Sequence, residues 1–281
     1  MAVPYKAPVK DIVFGYEVID SYNVLNKISA FSDFSEDIVI PTMEECAKFS
    51  EEVLAPINAI GDQQGATIKD GVVTMPEEFV DAYQKFAEAG WASISLPSDI
   101  GGGGMPITLS GGTLEILSTA NLAFGLAPGL SAGAISAINF HGSQEQKDKF
   151  LPKLVSGEWT GTMNLSEPQS GSDLGTITTK AEPQEDGTYK ITGTKVWITF
   201  GEHNMTENII HLVLAKVPGS PEGTKGISMF IVPKNNVNDD GSVGDSNNVS
   251  CISIEEKLGI HASPTCVMEY DGSVGYLVGE E

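Results

Sequence analysis

One change of period divides this chain. Up to about residue 158 its apolar residues recur at three-and-four spacing, and beyond it they alternate. A chain patterned this way places helices first and strands second, which predicts an α+β protein. Helical spacing runs from Ile38 to Ile60, with Ser35 as N-cap and Gly61 as stop. In "MPEEFVDAYQKFAEAG", Pro76 suits the first turn, and Glu77 and Glu78 complement the positive end of the helix dipole. Gly90 terminates it, and Phe79, Val80, Tyr83 and Phe86 form its buried stripe. "MPITLSGGTLEILSTANLAFGLAPGLSAGAISAINFHG" is rich in Ala, Gly and Ser, a composition for helices packed closely among others. "SQEQKDKFLPKLVSGE" predicts a short amphipathic helix capped by Ser143, with Gln146 at the capping-box position and Gly157 at its end.

Beyond the change, "GTYKITGTKVWITF" reads as a hairpin: Tyr189 and Ile191, a Thr-Gly-Thr turn, then Val196, Ile198 and Phe200. "NIIHLVLAKV", "GISMFIVPK", "VSCISIEEKLGI" and "TCVMEYDGSVGYLVGEE" continue the β pattern. Many short strands between Gly-rich turns predict a β-barrel or sandwich. At 281 residues two domains are expected. Residues 1–35, of weak periodicity, form an N-terminal extension lying over the surface. Residues 36–158 form a helical domain and 159–281 a β domain.

Charge narrows the partners. A net charge of −22 repels phosphate backbones and anionic lipid, so neither nucleic acid nor a membrane surface is expected. All 16 basic residues are Lys. Any bound anion must therefore rest on Lys, hydroxyls, backbone N–H groups or helix ends, without the bidentate grip of Arg. Three Cys and four His lie at no metal-binding spacing, and free thiols suit a reducing compartment. No apolar run is expected to reach bilayer-crossing length. The start lacks the apolar core and cleavage site of a signal peptide, and it is too acidic and poor in Ser and Arg for a transit peptide. A cytoplasmic location follows as the expectation.

Some chemical motifs fail. "IGGGGM" places Pro106 where the dinucleotide fingerprint needs its third glycine, which favours a plain turn. "GSPEGTK" has the wrong glycine spacing for a Walker loop, and there is no G-x-S-x-G elbow. "NLSEPQSGSDLG", residues 164–175, is more informative. Ser166 follows the extended "GTMNL", Pro168 stops further pairing, and "SGSD" offers hydroxyls and N–H groups to a ligand's oxygens. Asp173 suits an Asx-turn. In "KVWITFG", Trp197 and Thr199 are two apart and share a strand face. An indole beside a hydroxyl suits a planar heteroaromatic ring, by stacking plus one hydrogen bond. On these residues alone, a plain loop and a half-buried strand remain open.

The two motifs together, "NLSEPQSGSD" and about thirty residues later "KVWITFG", resemble the acyl-CoA dehydrogenase flavoproteins. "SLPSDIGGGG", "HGSQEQKDKFLPKLVSGEWTGTMNLSEP", "GISMFIVPK" and "KLGIHASPTCVMEYDGSVGYLVGEE" extend the resemblance over roughly residues 36–281. "YKAPVKDIVFGYEVIDSYNVL" is similar to the N-terminal extension of a larger subgroup that includes 3-methylmercaptopropionyl-CoA dehydrogenase-like enzymes. The resemblance implies a helical domain followed by a β-barrel domain, FAD as cofactor and an acyl-CoA thioester as substrate. It also implies an electron-transfer flavoprotein as acceptor and a homo-oligomer at full length. By resemblance, Leu165 backbone groups and the Ser166 hydroxyl meet the flavin pyrimidine end, and Met163 lies close to the ring. Trp197 borders the ring, Thr199 bonds near N5, and Ser172 faces the thioester and pantetheine. In the implied reaction a Glu removes the α-proton while hydride leaves the β-carbon for flavin N5.

Departures from the family pattern are Asn164 and Thr176 where small residues are usual, Phe200 where Asn is frequent, and His261 where many members have Arg. The family continues past "GYLVGEE" into a second helical domain that holds the catalytic Glu and the groups clamping the FAD pyrophosphate. The resemblance therefore places no catalytic residue in this chain, expects the Glu beyond residue 281, and reads the chain as a truncated form, inactive alone. An acyl-CoA oxidase and a non-catalytic flavin-binding homologue remain alternatives.

Overall fold

The computed structural model describes residues 4–280. The extension is helical: α1 (Val9–Val18) and α2 (Ser21–Leu25) dock through buried Val13 and Tyr16, and the Tyr16 hydroxyl donates to the Thr108 carbonyl at 2.7 Å. α3 (Glu36–Phe49) runs through a π-helical turn (Ser50–Leu54) into α4 (Ala55–Gln64). Gly61, expected as a stop, lies inside α4. A Cβ there would sit 2.5 Å from the Phe79 ring, so close packing explains the glycine; the stop is Gly65, at φ 66°. A hairpin, β1 (Thr67–Lys69) and β2 (Val72–Thr74), interrupts the helices and packs against the strand Val249–Ile254.

α5 (Glu77–Glu88) buries Phe79, Tyr83 and Phe86, with Val80 half-buried. The glycine turn at 101–104 follows, and its N–H groups are consumed internally: Gly102 on Pro97, Gly103 on Ser93 and Gly104 on Leu96. It is a turn with no donors left for a phosphate. α6 (Ile107–Ala120) and α7 (Leu122–His141) are separated at Asn121, whose side chain accepts from Phe124 N at 3.1 Å and caps α7. α7 corrects one expectation. At 20 residues and a mean hydropathy of 1.4 it is long and apolar enough to cross a membrane. Here its buried side packs on α6, on α8 (Gln144–Ser156) and on the first long strand of the sheet. α8 carries the Ser143–Gln146 capping box and ends at Gly157.

Strands β3 (Trp159–Asn164), β4 (Lys180–Pro183), β5 (Tyr189–Thr199), β6 (Asn208–Lys216), β7 (Ile227–Pro233), β10 (Val249–Ile254) and β11 (Thr265–Val278) make one mixed sheet; β8 (Asn235–Val237) and β9 (Val243–Ser246) pair separately. The expected barrel is not formed. The path β10-β11-β5-β4-β6-β3 leaves β10 and β3 as edges that do not pair with each other, and β7 lies off the path against β6 and β11. β3 runs parallel to β6, and α7 packs against it. The expected hairpin in residues 187–200 is also absent. β5 is continuous through Gly193, and its partners are β4 and β11. Gly193 serves close approach: a Cβ there would meet Thr179 Oγ1 at 2.4 Å.

One apolar core joins Phe79, Phe86 and Phe124 of the helices to Phe200, Met205 and Ala262. Another joins Ala134, Ile135, Phe150 and Leu154 to Trp159, Ile210, Leu212 and Ile231. A polar tie supplements them. His261 Nδ1 lies 2.7 Å from Asp62 Oδ1 on α4, and its Nε2 lies 2.9 Å from the Lys257 carbonyl. Both partners only accept, so holding both bonds requires the imidazolium. Asp62, then the Lys257 carbonyl, raises the His261 pKa above its usual value. A raised folded-state pKa gives stability present below the unfolded pKa and lost as pH rises through the folded one. Stability of the chain is therefore expected to fall as pH rises above the ordinary histidine range, and this part of the profile is expected to flatten in His261→Gln. Urea midpoints of the two proteins across that range check it, and identical profiles would contradict it.

Candidate functional site

The end of β3 is set by a row of polar side chains buried beneath the sheet. Thr160, Thr162 and Asn164 alternate onto one face. The Tyr270 hydroxyl donates to Asn164 Oδ1 at 2.9 Å, and Asn164 Nδ2 donates to Thr162 Oγ1 at 2.8 Å. Thr162 Oγ1 lies 2.7 Å from His211 Nδ1. The hydroxyl, which also accepts from Asn164, donates to Nδ1 or accepts from it according to the ring's tautomer. Burial, aided by the Lys234 charge, lowers the His211 pKa to about 3, so the ring is neutral. Its buried Nε2 has no partner among the described residues. On the other face, Gly161 N donates to Ser131 Oγ of α7 at 3.0 Å, and half-buried Met163 lies against the margin of the core that α7 shares with the sheet.

Leu165 and Ser166 leave the sheet half-exposed. Their carbonyls are both held by β5: Lys195 Nζ donates to Leu165 O at 3.0 Å, and Val196 N donates to Ser166 O at 3.0 Å. The Ser166 N–H and hydroxyl have no partner within the described chain. Glu167 turns inward. Its Oε1 accepts from Thr179 Oγ1 (2.5 Å), Lys195 Nζ (2.9 Å) and Thr179 N (3.0 Å); its Oε2 accepts from Thr178 N (2.7 Å), Gln169 Nε2 (2.7 Å) and Thr178 Oγ1 (2.9 Å). Burial alone would raise this carboxyl. The bonds from Thr179, Thr178 and Lys195 outweigh it and hold the pKa at about 2.

β5 carries a bulge at this point. Lys195 pairs with Met268 and Ile198 with Cys266, so Val196 and Trp197 together oppose Val267. Lys195 and Val196 are both buried, while Trp197, at φ 59°, is 58% exposed. A bulky residue in the left-handed region costs about 1–2 kcal/mol, and such strain collects where a side chain must be aimed. Ile198 is buried, and half-buried Thr199 pairs with Thr265. The structure therefore brings Ser166 against the residue preceding Trp197, with Leu165 beside them and Met163 one turn of the pleat away. Ser172 is not tied to this group. It is exposed on a loop closed by Ser170 Oγ on Asp173 O (2.6 Å) and by the Asx-turn of Asp173 on Gly175 N (3.0 Å).

Such an edge, with two free donors on Ser166 and an exposed indole on the strand that holds its carbonyl, can hold the rim of a planar heteroaromatic group. A separate apolar groove of about 520 Å³ runs between α6 and α7, lined by residues that include Ile107, Leu114, Pro128, Ala132 and Phe140. Gly125 and Ala127 of α7 are buried, Gly125 against Ser118. Among the described residues no cluster of His, Cys, Asp and Glu could hold a metal ion.

The acyl-CoA dehydrogenase N-terminal domain matches residues 41–158 and the acyl-CoA dehydrogenase middle domain residues 162–273. This chain belongs to the acyl-CoA dehydrogenase family. The 3-methylmercaptopropionyl-CoA dehydrogenase of Ruegeria pomeroyi is 47% identical over 99% of this chain and 47% of its own length. A butyryl-CoA dehydrogenase of Syntrophomonas wolfei is 38% identical over 98% of this chain and 46% of its own. The chain thus spans about half the length of the curated relatives it matches. Among solved structures, the Bacillus anthracis acyl-CoA dehydrogenase complexed with FAD superposes with a TM-score of 0.70 at 27% identity, over 89% of this chain and 38% of that one. A structure of the electron transferring flavoprotein of Acidaminococcus fermentans gives a TM-score of 0.71 at 25% identity, over 89% of this chain and 59% of that one.

The motif reading missed Lys195 and Tyr270. Lys195 left a signal: it continues the Tyr189, Ile191 and Gly193 side of β5, where a solvated lysine has no place. Tyr270 left none, because only the pairing of β11 brings it to Asn164. Tyr270→Phe would leave the buried Asn164 Oδ1 without a donor. It is expected to lower stability by about 1–3 kcal/mol. Urea denaturation measures this, and an unchanged midpoint would count against the network.

Proposed function

We propose that this chain forms the flavin-edge and thioester-facing part of an FAD-dependent acyl-CoA dehydrogenase, an enzyme that introduces an α,β double bond into an acyl-CoA. The observation that carries the reading is that Ser166, with both flanking carbonyls fixed and its own donors free, is bonded through its carbonyl to the residue just before the exposed Trp197. Those residues fit a flavin. Leu165 and Ser166 would hold its pyrimidine end, Met163 and Trp197 would border the ring, and Thr199 would lie near its reactive nitrogen. When bound, FAD supplies the hydride acceptor. The chain's own part is to fix the ring edge and to wall one side from water. Ser172, on its exposed loop, is assigned to the thioester arm of the substrate.

Glu167 is not the proton-abstracting base. Its carboxylate is fully engaged, and its low pKa makes it a poor proton acceptor. Asp173 is committed to its Asx-turn. The proton acceptor in this reading comes from outside the described loop. An electron-transfer flavoprotein is the proposed acceptor of the electrons, on the family-level link to such proteins.

Titration of the purified chain with riboflavin and with FAD, read by flavin fluorescence, tests the reading. Saturable quenching is expected. Trp197→Ala and Ser166→Ala are each expected to weaken it about five- to tenfold, the worth of one stacking or hydrogen-bonding contact. Absence of quenching at any attainable concentration would sink the proposal, as would variants that bind like the parent.

A further inference from the structure

We propose that Lys195 is a positioning residue for the flavin edge: held from below by Glu167, its ammonium group fixes the Leu165 carbonyl and thereby turns the Ser166 N–H outward. The inference rests on the reading that Ser166 meets a flavin.

The argument begins with the planarity of the peptide. No peptide bond among the described residues is cis, so the Leu165 C=O and the Ser166 N–H point in opposite directions from one plane. Lys195 Nζ holds that C=O at 3.0 Å on the buried side. The N–H on the far side then has no choice of direction. The next carbonyl, Ser166 O, is held by Val196 N, which fixes the following peptide as well. Two adjacent peptides of a loop are thus set by consecutive residues of one strand. The cation acts through the peptide too. A positive charge on a carbonyl oxygen polarises the amide and strengthens its N–H as a donor toward an electron-rich ring edge.

Stability alone does not account for the pair. Lys195 and Glu167 are 0% and 2% exposed at the side chain, 2.9 Å apart. Apolar residues of similar volume in place of such a buried pair are often neutral or stabilising. The bulge gives a second reason to see design in the geometry. It is the irregularity at Val196–Trp197 that lets Lys195 point inward and Trp197 outward from the same short stretch. One distortion therefore sets both the hidden cation and the visible indole.

The test is the charge-neutral double variant Glu167→Gln/Lys195→Met in the full chain, which leaves no buried charge unpaired. Three quantities are measured: the urea midpoint, the backbone ¹⁵N order parameter of Ser166 without ligand, and the riboflavin dissociation constant. The Ser166 order parameter is expected to fall below about 0.6, the range of mobile backbone. The riboflavin constant is expected to rise about tenfold, the worth of a charge-assisted hydrogen bond. Phe230→Leu, in the sheet core, is the control; it is expected to lower the urea midpoint and leave both other readings in place. If the double variant does not fold, Glu167→Gln/Lys195→Gln, which also leaves no buried charge, is read in its place, with the same two changes expected in smaller measure. An ordered Ser166 and an unchanged riboflavin constant in the variant overturn the role of Lys195 while leaving the flavin reading intact. Failure of the unmodified chain to bind riboflavin overturns the flavin reading, and this inference with it.

Discussion

The buried contact between Glu167 and Lys195 is the constraint from which the site is built. The carboxylate gathers six donors from four residues, and five of those bonds come from outside β5. A loop between β3 and β4 is thereby pinned to a strand that it does not adjoin in sequence. Without such a pin, a twelve-residue stretch of Ser, Gly and Pro would pay the full entropy of ordering itself around a ligand. With it, Leu165 and Ser166 stand preformed, which is the condition under which weak contacts to a ring edge add up to affinity.

β5 supplies the other half of that geometry. A regular strand would put Lys195 and Trp197 on the same face, one of them necessarily wrong: an indole in the core or a lysine in water. The bulge resolves this by inserting a residue opposite Val267. The cost is a tryptophan at positive φ, and Phe200 shares that condition at φ 52° three residues on. Phe200 N bonds to Pro264 O at 2.8 Å, and its ring packs edge-on against His203 at 5.9 Å. The strain is therefore held at both ends, by the ion pair before it and by aromatic packing after it.

The departures from the family pattern become intelligible in these terms. Asn164, where a small residue is usual, is the middle member of the relay from Tyr270 to His211, so its size is used beneath the sheet and does not crowd the site. His261, where Arg is usual, makes the two donor contacts that its protonated ring allows, to Asp62 and to Lys257 O. A chain without arginine still finds a forked cation there. It does so with a group that, unlike guanidinium, can give up its charge as pH rises.

What was legible in the sequence follows the range of the interactions involved. Ser166 at a strand end, the capping box at Ser143 and the Asx-turn at Asp173 each depend on residues within a few positions, and each could be read directly. The change of period marked helices before sheet for the same reason. Lys195 could have been read from parity, but parity itself reverses at the bulge. Tyr189 and Ile191 face inward on one count, Ile198 on the other. A reversal of parity around Thr-Gly-Thr looks like a turn, so one strand presents the pattern of two. Only the register against β11 distinguishes a bulge from a hairpin, and register is fixed by residues some seventy positions away. The open sheet was hidden for the same reason: whether β3 meets β10 is decided by no local pattern in either strand. The glycines carried the same ambiguity, since Gly61 and Gly193 are there to let Phe79 and Thr179 come close, and a sequence shows the missing Cβ without showing what takes its place.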